Sequence, residues 1–467
     1  MKFASFRNAR IVRSSWLEEG GRRLDCNPYM SGALEARDAL KLLKAPKEKL
    51  KDVTTGIFHA GREGRLWVDS PEYGVPFLGS SDILSADLST LPLMSKKQIK
   101  RNPHFTLGEK WTLITRSGTI GRMAYVRPDM AGLACSEHVL RVVPDEAKIP
   151  PGYLYAFLSS KFGVPLVVSG TYGAIIQHIE PEHVSNLPVP RFGQIEEAEI
   201  AALVDLAANS RATATREIES LKIEIADKLG ISKKSLLTYR EQRVGFAVAI
   251  SEVASSGRLE ATYHDALVQE IEQRIRLSDC RKISDVAVVV KPGMFKRIKV
   301  EGPEWGYGFI TGSELFSTAP KPIYFVSPKT PNIEECVLDA NWVLIQAFGQ
   351  IGGLIGCCMM TTPSLANSAA TDLQIQLRFS DPTDAGFVCT FLSSFAGYRL
   401  LARTPIGGSI PHIHPDSIKS LVIPWPDPAV RKEFGVRMLG AWALRDKAVE
   451  LEDKARAIVE SLIGSEN

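Results

Sequence analysis

A chain built from two copies of one pattern should fold as two similar bodies, and this 467-residue sequence carries such a duplication. The segment Trp111-Thr-Leu-Ile-Thr-Arg-Ser-Gly118-Thr-Ile-Gly121 recurs as Trp342-Val-Leu-Ile-Gln-Ala-Phe-Gly349-Gln-Ile-Gly352. Phe77-Leu-Gly-Ser-Ser-Asp-Ile83 faces Phe309-Ile-Thr-Gly-Ser-Glu-Leu315, and Phe157-Leu-Ser-Ser160 faces Phe391-Leu-Ser-Ser394. His178-Ile179-x-Pro181 returns as His412-Ile413-x-Pro415. Arg23-Leu24-Asp25 followed by Tyr29 corresponds more loosely to Arg258-Leu259-Glu260 followed by Tyr263. One offset of about 230 residues, drifting by only a few, relates all five blocks, which marks a tandem repeat rather than chance similarity.

Within each copy the elements come in one order. Trp111 to Ile114 and Val343 to Ile345 read as strands. Gly118-Thr-Ile-Gly121 and Gly349-Gln-Ile-Gly352 follow them as turns, where glycine permits positive φ or close backbone approach. Helices are predicted over Gly152 to Phe162 and Gly386 to Leu401. Leu187-Pro-Val-Pro190 and Leu421-Val-Ile-Pro424 close the copies as edge strands, the place in a sheet that suits proline.

After each closing strand the pattern turns helical. Ile195, Ile200, Leu203, Leu206, Ile218, Leu221, Ile225 and Leu229 recur mostly three, four or seven apart, as do Val430, Phe434, Met438, Leu444, Leu451, Ile458 and Leu462. Neither run holds an interior proline, and each stops at a glycine, Gly230 or Gly464. A helix of about 35 residues is roughly 50 Å long. Its polar flanks suit pairing of the two as a coiled coil. Two independent helical hairpins packed on their own domains are the alternative, with Asn209-Ser210 and Gly440 as possible breaks.

Several chemistries lack their signatures. The sequence has no phosphate-binding Gly-x-x-x-x-Gly-Lys-Ser/Thr loop, His-Glu-x-x-His, zinc-spaced Cys/His cluster or Gly-x-Ser-x-Gly elbow. Asn27-Pro28-Tyr29 lacks the second proline of an adenine-methyltransferase tetrapeptide and is read as structural. His104, His138, His183 and His264 are read as surface or core residues. The expectation is a non-catalytic chain with no metal and no cofactor. Net charge is only +3, from 56 basic and 53 acidic residues, so nucleic-acid binding would have to rest on local patches. Met1 to Gly20 has no apolar signal-like run, and the seven cysteines form no Cys-x-x-Cys pair, with Cys357-Cys358 read as strand filler. A cytoplasmic protein with reduced thiols and no membrane association is expected.

The duplicated blocks resemble the DNA-specificity subunits of type I restriction–modification systems. Leu24-Asp25 with Tyr29, Gly74 to Ile83, Leu113 to Arg122, and His178-Ile179 followed by Leu187-Pro-Val-Pro190 and the Gln194-led helix carry the likeness. Gly308 to Leu315, Val343 to Gly352 and His412 to Pro424 repeat it, although Ala347-Phe348-Gly349-Gln350 departs from Arg116-Ser117-Gly118-Thr119. The first 20 or so residues have no partner in the second copy. The resemblance implies an α+β fold with an internal pseudo-two-fold repeat. Two mixed α/β target-recognition domains (1–192 and 231–427) would be joined by two long antiparallel coiled-coil helices (193–230 and 428–467).

By the same resemblance, each domain would read one half of a bipartite, asymmetric site in double-stranded DNA. The helices would act as a ruler, since half-sites one DNA turn apart lie roughly 34 Å from each other. They would also dock two copies of a modification methyltransferase, which brings cofactor and catalysis and flips the target base. Whether a restriction or translocase subunit joins the complex is left open. A non-catalytic adaptor that assembles proteins through its helices is the competing reading.

On that reading, phosphate contacts are expected from Arg62, Arg65, Lys96, Lys97, Lys100 and Arg101 in the first copy. In the second they fall to Lys291, Lys296, Arg297 and Lys299. A solvated charged face is the plainer account of any single lysine. Forked side chains suited to base edges are Arg116 and Arg122, then Gln346 and Gln350, unless those turns merely pack locally. Tyr172, Gln177 and His178, with Ser409 and His412 opposite, occupy glycine-rich loops. The two histidines are read rather as fixing those loops through backbone carbonyls.

Overall fold

Thr112–Thr115 and its repeat Val343–Gln346 are buried at every position, because each runs through the middle of a sheet with layers on both faces. The computed structural model describes residues 12–19, 29, 31–169, 178–238, 245–294 and 296–465. The chain divides into unit 1, Met1–Ala212 with Lys447–Asn467, and unit 2, Thr213–Asp446. In unit 1 the central sheet orders its strands Thr54–Phe58, Val139–Pro144, Thr112–Thr115 and Met123–Tyr125, all antiparallel. Unit 2 repeats it with Val288–Val290, Gln374–Arg378, Val343–Gln346 and Cys358–Met360. The register is repeated as well: Ile114 lies opposite Leu140 and Ile345 opposite Ile375.

Alternate residues of the central strand serve different layers. Ile114 joins a core with helix Pro151–Leu158, whereas its neighbour Leu113 packs with Leu78, Ile83 and Val139 toward a second sheet. Val343 and Ile345 likewise meet Phe387 and Phe391, and Leu344 meets Ile310 and Met359. The second sheet orders Trp67–Val68, Leu93–Ser95, Gly74–Leu78 and Ala134–Cys135 in unit 1. Lys299–Val300, Tyr324–Val326, Tyr307–Ile310 and Ala369–Ala370 match it in unit 2. Each has one parallel pair, the last two strands of its order. The proline-bearing segments Pro188–Pro190 and Val422–Pro424 lie in separate two-stranded ribbons with Lys47–Lys49 and Cys280–Lys282.

The single helix expected in each copy is two helices with a corner between them, Pro151–Leu158 then Gly163–Val168, and Pro382–Ser393 then Phe395–Ala402. The repeated Phe-Leu-Ser-Ser motif makes the corner. Ser160 Oγ donates to Phe157 O and accepts from Gly163 N, and Ser394 Oγ does the same with Phe391 O and Gly397 N. Serine thus satisfies backbone groups that one helix frees and the next leaves unbonded.

The long helices run unbroken over Gln194–Lys228 and Pro428–Gly464, each contributing one part to either unit. Ser210 does not break the first, since its hydroxyl donates back to Leu206 O at 2.8 Å. Gly440 lies on an exposed face of the second. Gly230 then adopts φ 65°, with its N–H on Asp227 O and that of Ile231 on Ala226 O, a Schellman stop. In unit 1 the two helical segments meet at fully buried Ala207 and Ala448, beside Leu451. Those in unit 2 share a core through Ile218, Leu221, Phe434 and Met438.

Glycine docks each helix on its body. A Cβ on Gly152 would lie 2.7 Å from Ala201 O, and one on Gly386 2.4 Å from Gly435 O. No single helix among the described residues is long and apolar enough to cross a membrane.

Candidate nucleic-acid interface

Both units leave their central strand through a glycine turn, and that turn is braced from the same two sides. In unit 1 Arg116 N donates to His138 O at 2.9 Å and Ile179 N to Arg116 O at 3.0 Å. In unit 2 Ala347 N donates to Leu373 O at 2.9 Å and Ile413 N to Ala347 O at 2.8 Å. The His-Ile motif is therefore a main-chain strut for the turn, with Ser117 bridging His178 and Phe348 bridging His412. Fixation runs through backbone pairing rather than through histidine ring nitrogens. The His412 ring stacks on Phe348, centroids 5.4 Å apart at 15°.

Gly118 and Gly121 have φ 77° and 81°, Gly349 and Gly352 φ 144° and 82°, so the turns use the region open chiefly to glycine. Arg122 and Thr119 are exposed on the first turn, Gln350, Ile351 and Leu354 on the second. Ser409 is exposed at the tip of the adjoining loop, whose ends Ile406 and His412 pair with each other. Tyr172 and Gln177 lie outside the described residues.

Arg116 and Gln346, one residue apart in repeat position, both point inward. Arg116 is 4 % exposed, donates Nε to Ile179 O at 3.0 Å and pairs with Glu180. Gln346 accepts from Gln374 Nε2 at 2.8 Å and donates to Phe348 O at 2.8 Å. Their forked groups are spent within the protein, so the candidate readers on these turns that reach solvent are Arg122 and Gln350.

The basic residues of unit 1 form a real cluster. Glu63 accepts from Gln98, Arg101 and Asn102, while Gln98 exchanges hydrogen bonds with Gly64 O and Leu66 N. These bonds fasten the loop bearing Arg62 and Arg65 to helix Lys96–Arg101. The same bonds hold the Glu63 carboxyl below its ordinary range, those from Asn102 and Arg101 foremost. Arg62, Lys97 and Lys100 are exposed, and Lys96 donates to Glu72 O at 2.8 Å. In unit 2 Lys296 and Lys299 are exposed, Lys299 lying 4.3 Å over the Tyr324 ring. Lys291 is half-buried against Phe348 and donates to Asp372 O; burial lowers its pKa against the pull of that acid.

A polar run links the basic loop to the turn in each unit. Arg65 Nη2 donates to both Glu137 oxygens, at 2.8 and 3.0 Å. Glu137 Oε1 lies 3.4 Å from His138 Nε2, and His138 Nδ1 is 2.6 Å from Ser117 Oγ on the turn. Burial pushes Glu137 upward, but Arg65, its own backbone and His138 outweigh it, leaving the carboxyl below its ordinary range. His59, 3.8 Å from Glu180, is lowered by burial and then by Arg116. Fully buried Arg141 shapes the presenting loop by donating to Cys135, Ser136 and Val139 carbonyls. In unit 2 the run passes from Arg297 to Asp372, then through Lys291 to Phe348 and His412.

Sequence reasoning passed over Glu137, Arg141 and Asp372, and read His138 only as a surface or core residue. A further repeat block held the signal, Ala134-Cys-Ser-Glu137 against Ala369-Ala-Thr-Asp372, with an acid at its fourth place in both copies. Among the described residues no three His, Cys, Asp or Glu side chains converge as metal ligands would.

No family model and no curated protein matches the sequence. Solved structures do. The type I restriction–modification S subunit from M. genitalium aligns at 12 % identity over 91 % of this chain and 96 % of its own, with TM-score 0.30. The HsdS subunit from Thermoanaerobacter tengcongensis aligns at 14 % identity over 91 % and 95 %, TM-score 0.26. A chain from a structure of type I R-M complex assembly and conformational transition aligns at 14 % over 90 % and 98 %, TM-score 0.27.

Proposed function

We propose that this chain is the DNA-specificity subunit of a type I restriction–modification complex. Each unit reads one half of a bipartite, asymmetric site in double-stranded DNA, and the long helices set the half-site spacing and dock two methyltransferase subunits. The observation that carries this reading is the repeat itself. One backbone scaffold, with the same strand order and the same braced turn, presents two different sets of side chains. A reader of two unlike half-sites needs that combination, whereas a symmetric binder would keep the side chains alike. Arg62, Lys97, Lys100 and Lys296 are suited to phosphates, and Arg122 and Gln350 to base edges.

Catalysis and its cofactor belong on this reading to the methyltransferase, and the chain itself only selects the site. Exposed Ile195, Leu206, Ile223 and Val436 on the long helices support protein docking there, and they equally favour a pure adaptor. Replacing residues 1–192 with the corresponding segment of a homologue separates the two. The methylated motif is mapped in DNA from cells that express the chain with its methyltransferase. The specificity reading expects a bipartite motif of which the swap alters one half. An unchanged motif, or methylation without a motif, sinks it.

A further inference from the structure

Arg65 and Arg297 occupy corresponding places in the repeat, and both are held by an aromatic ring and a carboxylate. The Arg65 guanidinium lies 4.9 Å over the Phe77 ring and that of Arg297 4.7 Å over the Phe309 ring. Glu137 takes two hydrogen bonds from Arg65 Nη2, and Asp372 takes one from Arg297 Nη2 at 3.2 Å. Rings and acids are buried, yet the arginine side chains keep 30 % and 37 % of their surface. Around them the sequence has changed, Gly64-Arg65-Leu66-Trp67 against Lys296-Arg297-Ile298-Lys299, and the acid has changed from Glu to Asp. The trio has nevertheless survived.

A structural tie alone explains this poorly. Partly exposed ion pairs contribute little to stability, and burying a carboxylate opposes folding. A phosphate contact explains it no better, because the neighbouring acid cancels the charge that such a contact uses. What the arrangement does supply is a planar donor group held at a fixed angle over its ring, with Nη2 engaged by the acid in both units, Nη1 of Arg297 also on the Tyr324 hydroxyl at 3.4 Å, and part of each side chain at the surface. Planar recognition of a base edge needs that geometry.

We infer that Arg65 and Arg297 are specificity-determining residues, one per unit, each presenting its guanidinium to a guanine in its own half-site. Glu137 with Phe77, and Asp372 with Phe309, are the positioning residues that aim them. The inference rests on the DNA-specificity reading above and departs from a phosphate role for these two arginines.

The test uses the full chain with its methyltransferase and a duplex DNA library randomised across both half-sites. Arg65→Ala should relax one G·C position in one half-site by about 10- to 100-fold in discrimination and leave the other half-site intact. Arg297→Ala should do the same in the other half. Arg65→Lys keeps charge and a partner for Glu137, so it carries the test even where the alanine variant folds badly; it should relax the same position. Glu137→Gln should relax that position in part, at unchanged preference elsewhere. Uniform weakening on every sequence, with a shallower salt dependence, would assign these residues to phosphate and overturn the inference. So would lowered thermal stability with preference unchanged. A wild-type complex without any preference overturns the specificity reading, and this inference with it.

Discussion

Unit 1 buries two arginines at positions that unit 2 fills with an alanine and a glutamine. Where the strands meet below the turn, unit 1 places Arg116, Glu137 and Arg141, and unit 2 places Ala347, Asp372 and Gln376, with Gln346 bonded to Gln374 beside them. The main-chain bonds under the turn are nevertheless the same. The basic helix Lys96–Arg101 follows its strand in unit 1, while residues 327–332, which follow the matching strand of unit 2, form turns and carry one lysine. The long helices differ too. In unit 1 they are joined by the buried pair Arg211–Glu452, which also meets Arg456 and Tyr155. In unit 2 Arg437 bridges Glu217 and Glu224 at 2.6 Å each, half in solvent. Backbone hydrogen bonding and glycine placement fix the scaffold; the side chains between them are free to diverge.

The largest predicted effect separates the two helix clusters. Glu452→Ala leaves Arg211 buried and uncompensated, and should cost about 3–5 kcal/mol. Arg437→Ala removes a partly exposed bridge and should cost about 1 kcal/mol or less. Urea denaturation of both variants measures the contrast. Equal costs would mean that burial does not distinguish the clusters.

Helix docking should instead behave alike in both units. Gly386→Ala forces a methyl against Gly435 O and Gly152→Ala one against Ala201 O, each at about 1–3 kcal/mol. Gly440→Ala, with nothing within 4 Å of the added carbon, should stabilise by up to about 1 kcal/mol. Thermal melts of the three variants check the signs. If Gly386→Ala proved neutral, the close approach of helix to body would be wrong.

The charge asymmetry predicts an asymmetric salt response. Each phosphate that the protein ceases to neutralise should flatten the slope of log K against log salt by about 0.9. Replacing Lys97 and Lys100 together by Gln should therefore flatten it by up to about 1.8, and Lys296→Gln by up to about 0.9. Titration of duplex DNA at several salt concentrations reads both. An unchanged slope for the double variant would return the Lys96–Arg101 helix to an ordinary solvated face.

Much of the scaffold was legible because its signals are local. Glycines at 118, 121, 349 and 352, prolines at the closing ribbons and apolar runs at helical spacing each specify structure within a few residues. The corner at Ser160 and Ser394 was harder, since one hydroxyl hydrogen bond decides between one helix and two. The candidate interface was least legible. Arg116 and Arg122 look equivalent as letters, but the first ends a buried strand and the second leaves an exposed turn. Gln346 and Gln350 divide in the same way. Arg65 depends on Glu137, a partner from a distant segment that only the folded sheet brings near. Sequence order exposes periodicity and turns, while ion-pair partners are set by tertiary pairing.

The smallest effect concerns acid and the two helix clusters. Hydrogen bonds from Arg437, then from Ser220, push Glu224 down to about 2 from an ordinary 4.5. A carboxylate depressed in the folded state adds stability that is present above its unfolded pKa and lost as pH falls through the folded one. The contribution of the Arg437 bridge should therefore be complete at pH values above about 4.5 and should fade toward about 2. Because Glu224 is 41 % exposed, solvent screening holds the whole effect to about 1 kcal/mol or less. The difference in urea midpoint between wild type and Arg437→Gln should shrink as pH is lowered from 6 to about 3.5. A difference that stays constant would mean that the bridge contributes through packing of the arginine stem instead of through charge.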